Sequence, residues 1–156
     1  MSAVTRAAVE AVLSQYTDPY LNQDPVSAGC VKNIEIIGDR VNVQDGAIIH
    51  CTWNKAATTI GDNVSIGHRA IVHGCTLKNN ILVGMGAIIM DHAVVEDNVL
   101  IAAGAIVLEN MVLESGYIYA GIPARKVKPL SEEQFSQTVS RIANNYVTYA
   151  GWFKES

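Results

Sequence analysis

From Ile37 to Val107 an aliphatic residue recurs about every six positions: Ile37, Val43 and Ile49, then Ile60, Ile66, Val72, Leu77, Val83, Ile89, Val95, Ile101 and Val107. Four places after most of these anchors the side chain is small or aliphatic, as at Val41, Ala47, Val64, Ala70, Ala87, Ala93 and Ala105. Glycine follows the anchor at Gly38, Gly61, Gly67 and Gly84. A helix cannot use this period, because ~3.6 residues per turn would carry the anchor round the axis. A short strand with a corner can use it, with the anchors pointing inward and stacking coil upon coil. Three units close one triangular coil, so the twelve anchors predict about four coils of a left-handed parallel β-helix, an all-β solenoid. An ordinary sandwich would instead place turn signals every ~8 to 12 residues.

Two irregularities interrupt the repeat: an insertion at Lys55-Ala56-Ala57-Thr58-Thr59 and a five-residue unit at Val72-His73-Gly74-Cys75-Thr76. The ends follow another pattern. Val9, Val12, Leu13 and Tyr16 mark one face of an N-terminal helix, a candidate cap for the open first coil. Asp18-Pro19 and Asp24-Pro25 break it, and two extended pieces follow, Val31 to Ile37 and Arg40 to Gln44. Ser131-Glu132-Glu133-Gln134 is a capping box that opens a C-terminal helix of roughly five turns, with Phe135, Val139, Ile142, Tyr146 and Tyr149 on one face. The expected organisation is an N-terminal helix and strand segment at 1–36, the β-helix at 37–128 and a C-terminal helix at 129–156.

Composition narrows the function. Half of the 156 residues are apolar (49%), enough for a continuous core, and the charged fraction of 17% with net charge −4 leaves no basic face to follow nucleic-acid phosphates. The longest uncharged apolar stretch, Val99 to Leu108, is far short of the ~18 to 20 residues of a membrane span, and the start is not a secretory signal. The expectation is a soluble, cytoplasmic protein without nucleic-acid or membrane partners. Cys30, Cys51 and Cys75 form no C-x-x-C pair and read as packed or idle thiols.

The histidines carry the candidate chemistry. On the repeat frame His50 and His73 each follow their anchor by one residue on the third face, one coil apart, so their side chains are expected to stack ~4.8 Å apart. Two imidazoles at that spacing can share a metal ion. His68 lies on the second face, too far round the triangle to join them within one chain. A second copy of the chain in a cyclic trimer would supply it, and three imidazoles plus water make an open catalytic zinc site. Outward histidines on a β-helix are also ordinary surface residues. His92 falls in a corner slot and reads as structural or exposed.

Several stretches resemble a known family: Asn42-Val43-Gln44-Asp45-Gly46 with His50, Ile60-Gly61-Asp62-Asn63-Val64-Ser65-Ile66-Gly67-His68, Val72-His73-Gly74-Cys75-Thr76, Val83-Gly84-Met85-Gly86-Ala87 and Gly121-Ile122-Pro123-Ala124. From about Ile36 to Phe153 they resemble the γ-class carbonic anhydrases and their short-loop relatives. The resemblance implies a homotrimer with metal sites between subunits, His50 and His73 as ligands from one chain and His68 from its neighbour. It also implies Gln44 as the residue that orients bound water or bicarbonate, Asn42 as its polar companion and Tyr146 as a helix tyrosine facing the metal. Asp45, beneath His68 on the frame, is a candidate for supporting it. Zinc on neutral imidazoles lowers the pKa of its water from ~15.7 to ~7, which makes a nucleophile for carbon dioxide available near neutral pH. Imidazole suits iron and cobalt as well.

Two departures from the family stand out. Its usual opening coils with an Arg-Gly-Asp stretch are missing, and Asn54-Lys55-Ala56-Ala57-Thr58-Thr59 has no carboxylate where the best-known enzyme carries its proton-shuttling acidic loop. Tyr16 to Lys32, with Ile34-Glu35-Ile36 and Arg40-Val41-Asn42-Val43, instead resembles the first half of the small domain that opens Mrp-type iron–sulfur carrier ATPases. The two likenesses meet near Ile36 to Gln44, as in a recombined or engineered chimera. Weak or absent hydratase activity follows from these departures. The competing readings are a β-helix scaffold without enzymatic function and a hexapeptide acyltransferase with a histidine as general base.

Overall fold

The computed structural model describes residues 40–142 and 145, together with the backbone of a strand at Ile34–Ile36. Among the described residues fifteen short strands follow one another: β1 (Ile34–Ile36), β2 (Val41–Val43), β3 (Ile48–His50), β4 (Thr58–Ile60), β5 (Val64–Ile66), β6 (Ile71–His73), β7 (Thr76–Leu77), β8 (Leu82–Val83), β9 (Ile88–Ile89), β10 (Val94–Val95), β11 (Leu100–Ile101), β12 (Ile106–Val107), β13 (Val112–Leu113), β14 (Tyr117–Ala120) and β15 (Arg125–Pro129). Every third strand pairs, which makes three walls: β1-β4-β7-β10-β13, then β2-β5-β8-β11-β14-β15, then β3-β6-β9-β12. All pairings are parallel except β14 with β15. The result is the left-handed parallel β-helix that the six-residue period predicts, an exception to right-handed crossovers.

The anchors fill its interior. Ile60, Ile66, Val72, Leu77, Val83, Ile89, Val95, Ile101 and Val107 are all at most 1% exposed, and the small column Ala70, Ala87 and Ala105 lies buried beside them. The ladder also runs past Val107 in the same six-residue steps, to buried Leu113 and Tyr119. At its start the frame slips by one residue. The register sets Ile36, not Ile37, opposite Ile60, because two adjacent isoleucines satisfy the pattern equally and only strand pairing selects the face. Val43, an inward anchor of the first coil, is 45% exposed.

Corners are set by backbone chirality. At one corner Asn63, Asn80 and Asn98 take φ of 54°, 57° and 59°, a left-handed conformation that asparagine tolerates. Their amides form a ladder, Asn63 Nδ2 donating to Asn80 Oδ1 at 3.0 Å and Asn80 Nδ2 to Asn98 Oδ1 at 3.1 Å. Where a strand leaves its wall, the coils approach so closely that a side chain at Gly67 or Gly84 would meet the backbone of the next coil within 3 Å.

The C-terminal helix begins at the expected capping box, with Ser131 Oγ accepting from Gln134 N at 3.2 Å and Gln134 Oε1 accepting from Ser131 N. A short α1 (Glu132–Gln134) then widens into a π-helical segment, Phe135–Ser140, rather than a regular α-helix. Ser136, Thr138 and Val139 are weak α-formers, which leaves the tighter register little local support. Val139 is buried. The N-terminal helix and its capping role, and the far end of the C-terminal helix with Tyr146 and Tyr149, lie outside the described residues. Among the described residues no helix is long and apolar enough to cross a membrane.

Candidate functional site

His50 and His73 close β3 and β6, and the parallel register sets them opposite one another. Alternation along these strands turns Ile49 and Val72 inward and both imidazoles outward. The ring centroids are 5.0 Å apart, and His50 Nδ1 faces His73 Nε2 at 3.0 Å. Two bonds of ~2.0 to 2.1 Å to one zinc ion at a tetrahedral angle would separate these nitrogens by about 3.3 Å. The spacing of the pair is within a few tenths of an ångström of that separation, and its donor chemistry suits a metal once both facing nitrogens are unprotonated.

Both irregularities of the repeat fall at the corner that carries this pair. The extra residues form a loop at 51–57, closed by a bridge between Thr52 and Ala56. Thr58 and Thr59, expected within the insertion, belong instead to β4, and buried Thr58 donates to the carbonyl of His50 and accepts from Gly74 N at 2.9 Å. One coil up, the corner at Gly74 is a residue short. Asp91, in the corner above that, reaches down across the gap: its Oδ1 lies 2.6 Å from His73 Nδ1, and its Oδ2 accepts from the Thr52 hydroxyl. A Cβ on Gly74 would come within 2.1 Å of Asp91 Oδ1, so only glycine leaves the path open. Desolvation works against the Asp91 charge, but the Thr52 hydroxyl and the His73 ring outweigh it and hold the carboxyl below the usual carboxylate range.

The remaining candidates stand elsewhere. His68 is exposed at the corner between the second and third walls, at the opposite edge of the third wall from the imidazole pair. Asp45 lies one coil beneath it, and with Arg69, Met85 and Gly86 the two line an open depression. Gln44 Oε1 accepts the backbone N–H of His68 at 3.2 Å, which leaves the Gln44 amide NH2 as its outward donor. Asn42 Nδ2 is buried without a partner, and so is the hydroxyl of Ser65, its register neighbour. His92 is an exposed corner residue at φ 60°, its N–H held by Gly74 O at 2.7 Å. Among the described residues no group of three His, Cys, Asp or Glu side chains in one chain is placed to hold a metal. Sequence reasoning missed Asp91 and Thr52. Their signal was the coincidence of insertion and shortened unit at one corner.

Cys51 and Cys75 are buried, and Cys30 lies outside the described residues. Burial, ahead of the nearby Asp91 charge, pushes the Cys75 thiol up to about 12 although a backbone bond at His73 opposes it. At pH 8 the thiolate fraction is then on the order of one in ten thousand. We expect Cys75 to stay unmodified when the folded protein is incubated with iodoacetamide at that pH and to alkylate after denaturation, as read by peptide mass spectrometry. Rapid alkylation of the folded chain would contradict its placement in the core.

Comparison with known proteins places this geometry. The chain is 38% identical over 130 residues to "Gamma carbonic anhydrase 2, mitochondrial" of Arabidopsis thaliana, covering 80% of this chain and 46% of that protein. It is 42% identical over 138 residues to a protein of Methanocaldococcus jannaschii named "Probable carbonic anhydrase", covering 88% and 84%. Among solved structures, a hexapeptide transferase family protein from Anaplasma phagocytophilum superposes with a TM-score of 0.69 at 33% identity, covering 77% of this chain and 76% of that one. The chain spans 64% of the length of other curated relatives it matches. Residues 6–44 match the family model described as "Iron-sulfur cluster assembly protein". Within that stretch β1 and β2 pair in parallel with the next coil, so part of it is solenoid wall. With two thirds of a relative's length exceeded at 42% identity and the solenoid in common, the chain belongs to the γ-carbonic-anhydrase-like family of hexapeptide-repeat proteins.

Proposed function

We propose that the chain acts as a homotrimeric metal-binding protein in which His50 and His73 of one protomer and His68 of a neighbour hold zinc, with iron or cobalt as chemical alternatives. The observation that carries this reading is the 3.0 Å convergence of two ring nitrogens on the outer surface while the third histidine stands at the far edge of the same wall. One protomer offers two ligands and a separate single ligand, which is the division a shared site between copies requires. A stripe of isoleucines, Ile48, Ile71, Ile88 and Ile106, runs outward along this wall, none of them buried and Ile48 52% exposed, and supplies apolar surface for the contact.

The reaction that fits is hydration of carbon dioxide to bicarbonate. Bound zinc supplies a water activated near neutral pH. Gln44, with its amide oxygen occupied by His68 N–H, presents its NH2 as a donor toward an oxygen of water or bicarbonate. Asn42 and Asp45 flank it on the same strand and corner, and the family resemblance adds Tyr146 to this set. Residues 52–59 carry no carboxylate to move protons, so turnover is slow and limited by proton transfer. We further infer that the chain is recombined, with a segment of iron–sulfur assembly origin joined at about residue 36 to a β-helix unit at 37–128, followed by a C-terminal unit at 129–156 whose helix starts at Glu132.

Native mass measurement with elemental analysis tests the reading: we expect a trimer with about one zinc per chain. Stopped-flow hydration of carbon dioxide should be slow and should accelerate as imidazole buffer is raised, because the buffer replaces the missing proton carrier. A monomer without metal would leave only a β-helix scaffold. An acyltransferase would instead bind coenzyme A in a calorimetric titration, and we expect no such heat.

A further inference from the structure

We propose that Asp91, buttressed by Thr52 of the inserted loop, is a positioning residue that holds His73 as a metal ligand. The inference rests on the reading that His50 and His73 bind the ion, and it adds what fixes the ring. A carboxylate only accepts hydrogen bonds, so the 2.6 Å contact of Asp91 Oδ1 requires the proton of neutral His73 on Nδ1. Its Nε2 is then an unprotonated lone pair, and Nε2 is the atom aimed at His50 Nδ1. The carboxylate therefore selects both the tautomer and the rotation of the ring that a metal needs.

The chain builds this contact from its own irregularities. A side chain at position 74 of the shortened corner would collide with Asp91 Oδ1, its Cβ only 2.1 Å away, and glycine at φ 56° clears the way. The other carboxylate oxygen is held by Thr52, which sits in the loop only because residues are inserted there. Insertion below and deletion above thus clamp one carboxylate against one imidazole. In the absence of metal the order of donors is complete: Thr52 hydroxyl to Asp91, His73 Nδ1–H to Asp91, His50 Nδ1–H to His73 Nε2. Binding an ion requires that His50 carry its proton on Nε2 instead and that the two nitrogens part by a few tenths of an ångström.

The test uses the full-length protein and two readouts. In the metal-free form, nitrogen-15 spectra should assign His73 the Nδ1–H tautomer, and Asp91→Ala should abolish that preference. Zinc affinity, measured by competition with a chromophoric chelator, should fall about 10- to 100-fold in Asp91→Ala, with the thermal midpoint confirming a folded chain. Asp91→Asn, whose amide oxygen still accepts the Nδ1 proton, should recover most of the affinity, and Thr52→Val should lose less than Asp91→Ala. If Asp91→Ala binds zinc as tightly as the unaltered chain while His73→Ala does not, the positioning role is wrong and the metal site stands. If His73→Ala also leaves zinc binding unchanged, the metal site itself is wrong, and this inference falls with it.

Discussion

Replacing Gly84 with alanine destabilises the solenoid by about 3 kcal/mol, the upper range for overpacking a core that cannot yield. The added methyl would lie 2.4 Å from Ala103 N, 2.6 Å from Ala102 C and 2.7 Å from Ile101 O, all backbone of the next coil. Those atoms belong to the hydrogen-bonded stack, Gly84 N itself bonding Ile101 O at 2.8 Å, so relief requires spreading two coils rather than turning a side chain. Gly104→Ala is the control. It has φ +68° but open space around its Cβ position, and it should cost only the ~1 to 2 kcal/mol of a left-handed alanine. Urea unfolding followed by circular dichroism measures both. Gly84 has no left-handed backbone to strain, so a loss no larger than that of Gly104→Ala would mean that the coils part easily and that close contact does not set the need for glycine after the anchor.

His68→Ala and His73→Ala each lower bound zinc to background when purified alone, but subunits of the two variants mixed and reassembled recover about a quarter of the sites. The recovery follows from cyclic geometry. If each site takes its imidazole pair from one protomer and His68 from the next, a site is intact only where a His68→Ala protomer supplies the pair and a His73→Ala neighbour supplies His68. Random assortment in equal amounts makes about one site in four meet that condition. His92→Ala should retain full zinc, since His92 occupies a corner on a different level with its backbone, not its ring, in the stack. Elemental analysis before and after mixing is the measurement. Zinc retained by His68→Ala alone would place the site within one chain, and no recovery on mixing would remove the shared site.

Much of the stack was legible because a six-residue period leaves a chain with one economical geometry. Each anchor from Ile60 to Val107 reads directly as an inward residue, and the stacking of His50 on His73 follows from counting along the same frame. The frame failed where counting alone cannot choose. Ile36 and Ile37 are interchangeable on paper, and only pairing with Ile60 selects between them. The inserted loop was placed too late by the same cause, since threonines at 58 and 59 look like loop residues until Thr58 is seen buried against the His50 carbonyl.

The amino-acid order by itself determined the triangular coil, the direction in which each anchor after the first points and the level at which each histidine rides, because these depend on local periodicity and strand alternation. Only the tertiary structure decided how close the two imidazoles come, that Gln44 spends its amide oxygen on His68 N–H, and that Asp91 leans across Gly74 onto His73. Those contacts join residues 18 to 24 positions apart through corners of unequal length. A corner one residue short or several residues long changes the reach of a side chain by ångströms, and hydrogen bonds are lost over less than that.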